Sequence, residues 1–183
     1  MYYHLDTDGR ENIHLKKERG LNSHIELGMG KLWDVVGDRI KLPYRYTMRV
    51  AIDEEPRFYG WYPGSDLMTQ SLVDLLLRNG VDNLQIFPCE IKREKTEEEI
   101  TGFSTVNIVG RVSCANLSQS SSMPVADSHY FERLVIDIEK TNGQLVFRVD
   151  ESPMVVLVHE KIANAISNSD IFGLSLEPVE VAT

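Results

Sequence analysis

The dipeptide Asn142-Gly143 stands between two short runs, residues 134–138 and 145–149, in which apolar side chains alternate with others. Asn-Gly accepts the positive φ angles that a tight two-residue turn demands, so the pattern predicts an antiparallel hairpin built from those two runs. Other strands are legible beside it. Leu84–Phe87 is stopped by Pro88, and residues 105–109 put Val106 and Ile108 on one face. Residues 154–158 are nearly all apolar, which suits a central strand buried on both faces. Leu174 and Leu176 begin a last strand that Pro178 limits or sends to an edge.

Two helices interrupt these strands. Thr69 is placed to cap a helix over residues 70–79, with Leu72, Leu75 and Leu76 on one stripe and Gly80 just past the end. Met68 and Val73 are spaced for a hydrophobic staple. A second helix is expected over about residues 160–168, with His159 at its cap, Glu160 in its first turn and Ile162, Ala165 and Ile166 on its apolar face. Strands and helices in mixed order, with an antiparallel pair, predict an α+β fold with a mostly antiparallel sheet and packed helices. The expected core is Leu72, Leu75, Leu76, Ile86, Phe87, Val106, Ile108, Ile136, Phe147, Val156, Leu157, Ile162 and Ile166.

The first third is read as β-rich, because residues 2–5, 33–36 and 44–52 have strand composition. Residues 54–64 combine two prolines, two glycines and four aromatics, and a soft boundary is placed there. The expected division is a β-rich N-terminal region, residues 1–60, and an α+β domain, residues 61–183. Charge follows that division. Residues 1–50 hold nine basic and seven acidic residues, whereas residues 51–183 hold ten and 21, within a net charge of −9. Such a balance argues against nucleic acid and against an anionic membrane surface as partners. No run approaches the length of a membrane span, and the opening residues lack the apolar stretch of a secretory signal, so the chain reads as cytoplasmic.

Catalytic motifs are missing or weak. Gly28-Met29-Gly30-Lys31 lacks the spacing and the Ser or Thr of a phosphate loop and reads as a turn. Cys89 and Cys114 stand 25 apart with no Cys-x-x-Cys, and the histidines His4, His14, His24, His129 and His159 have no zinc spacing, so neither a metal nor another cofactor is expected. A nucleophile pair of Cys114 with His129 or His159 has the right chemistry. Yet Cys114 lies in a strand-like run where a buried thiol is inert, and His159 has a cap to make.

The segments from Met68-Thr69-Gln70-Ser71-Leu72 to Asp82-Asn83-Leu84-Gln85-Ile86-Phe87-Pro88, then Phe103-Ser104-Thr105-Val106-Asn107-Ile108, come in a set order. Leu134-Val135-Ile136-Asp137, Leu145-Val146-Phe147-Arg148, Val156-Leu157-Val158-His159-Glu160-Lys161 and Gly173-Leu174-Ser175-Leu176-Glu177-Pro178-Val179 follow. In that order and spacing, and in the opening Met1-Tyr2-Tyr3, the chain resembles the immunity protein 11 family of bacterial polymorphic toxin systems, over roughly residues 60–180. It departs from the family at Ser113 and Asn116, where acids are expected, and at His159, where a serine is usual.

The resemblance implies a protein without catalysis that binds a cognate toxin and neutralises it by occlusion. Many such toxins are nucleases, basic where they grip phosphate, and an acidic inhibitor would be steered to that surface. On that expectation Glu97, Glu98, Glu99, Asp150, Glu151, Glu177 and Glu180 are the candidate toxin-binding residues. The alternatives are a small hydrolase or transferase using Cys114 or His159, and an adaptor of a secretion apparatus. Whether the chain forms a homo-oligomer stays open.

Overall fold

The computed structural model describes residues 1–8, 13–18, 22, 26–50, 59–63 and 66–183. In chain order, the first strands are β1 (Tyr2–Thr7), β2 (Ile13–Lys17), β3 (Tyr44–Val50), β4 (Trp61–Tyr62) and β5 (Leu67–Thr69), followed by helix α1 (Gln70–Arg78). Then come β6 (Leu84–Phe87), β7 (Cys89–Arg93), β8 (Glu99–Ile100), β9 (Phe103–Ile108) and β10 (Arg111–Val112). Next are β11 (Ser121–Val125), β12 (Ser128–Arg133), β13 (Val135–Ile136), β14 (Val146–Val149) and β15 (Ser152–His159). Helix α2 (Glu160–Ser167), β16 (Leu174–Pro178) and β17 (Glu180–Val181) complete the described chain. The fold is α+β with mostly antiparallel sheets.

The largest sheet has the order β10-β14-β15-β1-β16, a second runs β4-β5-β9-β6, and a third runs β2-β3-β7-β8. Both helices cover one face of the first two sheets. There Leu72, Leu76, Ile162 and Ile166 pack against Leu5, Val156 and Val158 of one sheet and Val106 and Ile108 of the other. Each helix starts as its sequence requires. Thr69 Oγ1 accepts from Leu72 N at 3.4 Å, and His159 Nδ1 accepts from Lys161 N at 3.2 Å. The opposite face of the second sheet packs on the third around Tyr44, Tyr46, Leu67, Phe87 and Ile91, where the Tyr46 hydroxyl meets Thr105 Oγ1 at 2.9 Å.

Strands from both sides of residue 60 share sheets: β1 lies between β15 and β16, and β3 pairs in parallel with β7. Residues 51–58, where much of the expected boundary falls, lie outside the described residues, as does His24.

Three expectations need correction. The runs around Asn142-Gly143 do not form a hairpin. Val135–Ile136 pairs in parallel with β17, whereas β14 is flanked by β15 and β10. Asn142 (φ 49°) and Gly143 (φ 70°) do take the positive angles, but they end a 3₁₀ turn over Ile138–Thr141. That turn is held by Thr141 Oγ1 donating to Ile138 O at 2.7 Å and by Lys140 on Asp137 at 2.6 Å. Ile86 is 41% exposed rather than core, because β6 is the edge of its sheet. The run 33–36 forms no strand, and Trp33 instead exchanges hydrogen bonds with Gln85, its N–H donating to Oε1 at 3.0 Å and its carbonyl accepting from Nε2 at 2.7 Å.

Candidate functional site

The face of the largest sheet turned away from the helices is only partly covered. At one end Tyr2, Phe147, Val149 and Leu157 are closed over by Cys114, Ala115 and Ile136. Register continues this face toward the other end. His4 stands opposite Leu157 and Glu177, and Asp6 opposite Ser175, so these side chains project to one side. They floor an open groove of about 740 Å³. Tyr130, Phe131 and Glu132 of β12 form one wall, and Trp61, Pro63 and Met154 also line the groove.

The wall is a hairpin with two unlike faces. His129 and Phe131 stack at 6.0 Å, and Phe131 packs toward the covered end of the sheet. Met123, Val125 and Tyr130 carry the other face, with Met123 paired to Tyr130, and each is more than half exposed. The hairpin is anchored at both ends. The His129 N–H and the Ser128 hydroxyl donate to Glu151 O at 2.7 and 3.1 Å, and Val135 N donates to Ser120 Oγ at 2.9 Å.

The groove is acidic. Glu180 is paired with Arg133 at 2.8 Å. Asp6, Glu132 and Glu177 form no ion pair among the described residues; Asp6 accepts from Thr7 N at 2.7 Å and Glu132 from Ser121 Oγ at 3.2 Å. Three carboxylates therefore face one cavity beside exposed aromatic and thioether groups.

The seven carboxylates expected from sequence lie on three separate parts of the surface. Glu177 and Glu180 line the groove. Asp150 and Glu151 form the β14–β15 turn, where Asp150 faces Arg111 at 3.6 Å and Glu151 accepts from Ser113 Oγ at 2.7 Å and Ala115 N at 3.4 Å. Glu97 and Glu98 lie in the β7–β8 connection and Glu99 opens β8 of the third sheet; there Lys92 meets Glu97 at 3.5 Å and Arg93 meets Glu98 at 3.4 Å. Arg45–Glu90 and Arg49–Glu94 pairs continue that balanced surface. Asp6, Glu132, Tyr130 and Met154 escaped sequence reading. The alternation of residues 122–125 and 129–131 was available, but Ala126-Asp127 carries no glycine to announce a turn.

The two thiols and the rings of His129 and His159 have structural surroundings. Cys114 is wholly buried, and burial pushes its thiol up to about 12; Cys89, half-buried, is pushed up to about 11. The His159 ring caps α2 and stands edge-on to Tyr2 at 5.3 Å, while His129 Nδ1 lies 3.4 Å from Ser122 Oγ. Among the described residues no three His, Cys, Asp or Glu side chains gather to hold a metal ion. No described helix is long and apolar enough to cross a membrane.

A second charged cluster lies inside, where Asp66 is set electrostatically against Lys17 and Arg148. Arg148 is 3% exposed, donates to Pro153 O at 2.9 Å and leaves its Nε without a partner among the described residues. Burial pushes the Asp66 carboxyl up to about 6, against the pull of both cations. Residues 28–31 pass close to this cluster, with Gly28 beside Asp66 and Gly30 beside Arg148, and are held by side chains: Arg111 Nε donates to Met29 O at 2.6 Å and Asn107 Nδ2 to Lys31 O at 2.7 Å. No protein-family model matches this chain, and no curated protein matches it either.

Proposed function

We propose that this chain is a cytoplasmic binding protein that neutralises a cognate toxin protein by stoichiometric occlusion, without catalysis of its own. The observation that carries the binding reading is the acidic groove beside the exposed apolar face of the β11–β12 hairpin. Exposed aromatic and methionine side chains next to unpaired charge are the composition of a protein-docking surface. The toxin class comes from the resemblance of residues 60–180 to immunity proteins. Occlusion needs no chemistry, only a surface burying on the order of 1,600 Å² in total. The burial that raises the Cys114 thiol and the cap made by His159 support the same reading, since a nucleophilic cysteine needs a low pKa and an adjacent base.

The test is co-expression with the variable C-terminal domain encoded by the reading frame adjacent to this chain's gene. Growth should be restored, with a one-to-one complex recovered and the toxin's mass unchanged. Failure to protect, or protection by traces of this chain with a covalently altered toxin, refutes the reading.

A further inference from the structure

The groove's outer border, β16, has a strand neighbour on one side only among the described residues. Its backbone bonds to β1 are marked by Val179 N donating to Tyr2 O at 3.0 Å and Asp8 N donating to Gly173 O at 3.1 Å. Antiparallel parity then turns Ser175 and Glu177 backbone groups toward β1 and those of Leu174 and Leu176 away from it, on the side where, just before β16, Phe172 O accepts from Gly60 N at 2.9 Å. The two faces of β16 also differ in chemistry. Glu177 and Ser175 project into the groove with Asp6, whereas Leu174 and Leu176 pack at the border of the helix-covered core.

We propose that β16 accepts, as an added strand, an extended segment of the partner protein in which Lys or Arg alternates with apolar residues. This rests on the protein-binding reading above and names the partner's docking element. An added strand places alternate side chains on the two faces of the sheet. Its cations meet Asp6, Glu132 and Glu177, none of which has an ion pair among the described residues. Its apolar side chains extend the row of Leu174 and Leu176. Backbone bonds give the segment its register, and charge selects it. Pro178, which has no N–H to offer, sets the end of the pairing edge.

The experiment is an NMR titration of the isotopically labelled full chain with a short synthetic peptide of alternating lysine and leucine. Amide shifts at residues 174–177 and 128–133 are expected. The same peptide N-methylated at alternate residues, and a glutamate–leucine peptide, should bind at least about tenfold more weakly. Glu177→Lys should weaken the lysine peptide to a similar extent, whereas reversal of Glu97, Glu98 and Glu99 should leave it unchanged; thermal melts of both variants check that they remain folded.

Shifts centred on the third sheet, no shifts at all, or equal binding of the N-methylated peptide overturn the proposal. So does displacement by equimolar spermine, which marks a site for a small polycation. Self-association in the absence of peptide that involves β16 overturns it in favour of a second copy of this chain. Peptide binding at β16 with no growth protection leaves the docking element standing and removes the toxin reading; protection without peptide binding does the reverse.

Discussion

Asp66→Asn should stabilise this protein at neutral pH. The Asp66 carboxyl ordinarily titrates near 3.8 and is pushed to about 6 in the fold. The folded chain therefore holds this proton more tightly than the unfolded chain. The resulting stability is fully present below 3.8 and is lost as pH rises to about 6. Above that, ionised Asp66 costs the fold what its burial costs, net of attraction to Lys17 and Arg148. The gap corresponds to about 3 kcal/mol, and solvent reaching the half-buried carboxylate reduces it to about 1–2 kcal/mol. Asparagine matches the protonated side chain in shape, and it tolerates the left-handed backbone of this position, φ 55°. Urea denaturation across a pH series gives the variant's advantage directly, and other titrating groups cancel in the difference. The advantage should be about 1–2 kcal/mol at neutral pH and vanish near about pH 4. An advantage independent of pH, or a variant less stable than its parent at neutral pH, refutes the reasoning, the second by showing that the ion-pair attraction exceeds the desolvation.

Phe147→Ala should cost about 3–5 kcal/mol in chemical denaturation, since Phe147 is wholly buried and meets Tyr2 edge-on at 5.5 Å; a loss under about 1 kcal/mol would mean the cavity collapses without penalty. Thr69→Ala should lower stability by about 1 kcal/mol through the lost cap on Leu72 N, and an unchanged melting curve would show that the cap is dispensable. Neither thiol should react quickly with iodoacetamide at neutral pH in the folded chain, Cys114 being slower than Cys89. A fast-reacting Cys114, read by mass spectrometry of its peptide, would revive the hydrolase alternative.

The helices were legible to within a residue because capping and stripe patterns are local. Thr69 and His159 each end a strand and begin a helix, and nothing distant decides that. Leu84–Phe87 was equally plain, stopped by Pro88, and of the two readings of Pro178, a limit or an edge, β16 shows both: it ends at Pro178 and borders its sheet. The hairpin at Asn142-Gly143 failed because a turn dipeptide specifies dihedral angles and not strand partners. Both edges of β14 are taken by β15 and β10, so residues 134–138 pair elsewhere. Ile86 was misplaced because apolarity does not reveal which strand is outermost. The groove was invisible for a similar reason: Asp6, Glu132 and Glu177 are far apart in sequence, and only the insertion of β1 between β15 and β16 brings them together.

That insertion also imposes a timetable. Tyr2 pairs with His159, and Tyr3 with Pro178, so β1 gains its strand neighbours only after about 150 further residues have been made. Until then β1 has neither strand neighbour, and the groove lacks its border. Its His4 and Asp6 come from the earliest part of the described chain and its Glu177 and Glu180 from the latest. A chain that lacks β15 and β16 therefore leaves β1 unpaired on both edges, and the groove is completed in one late step.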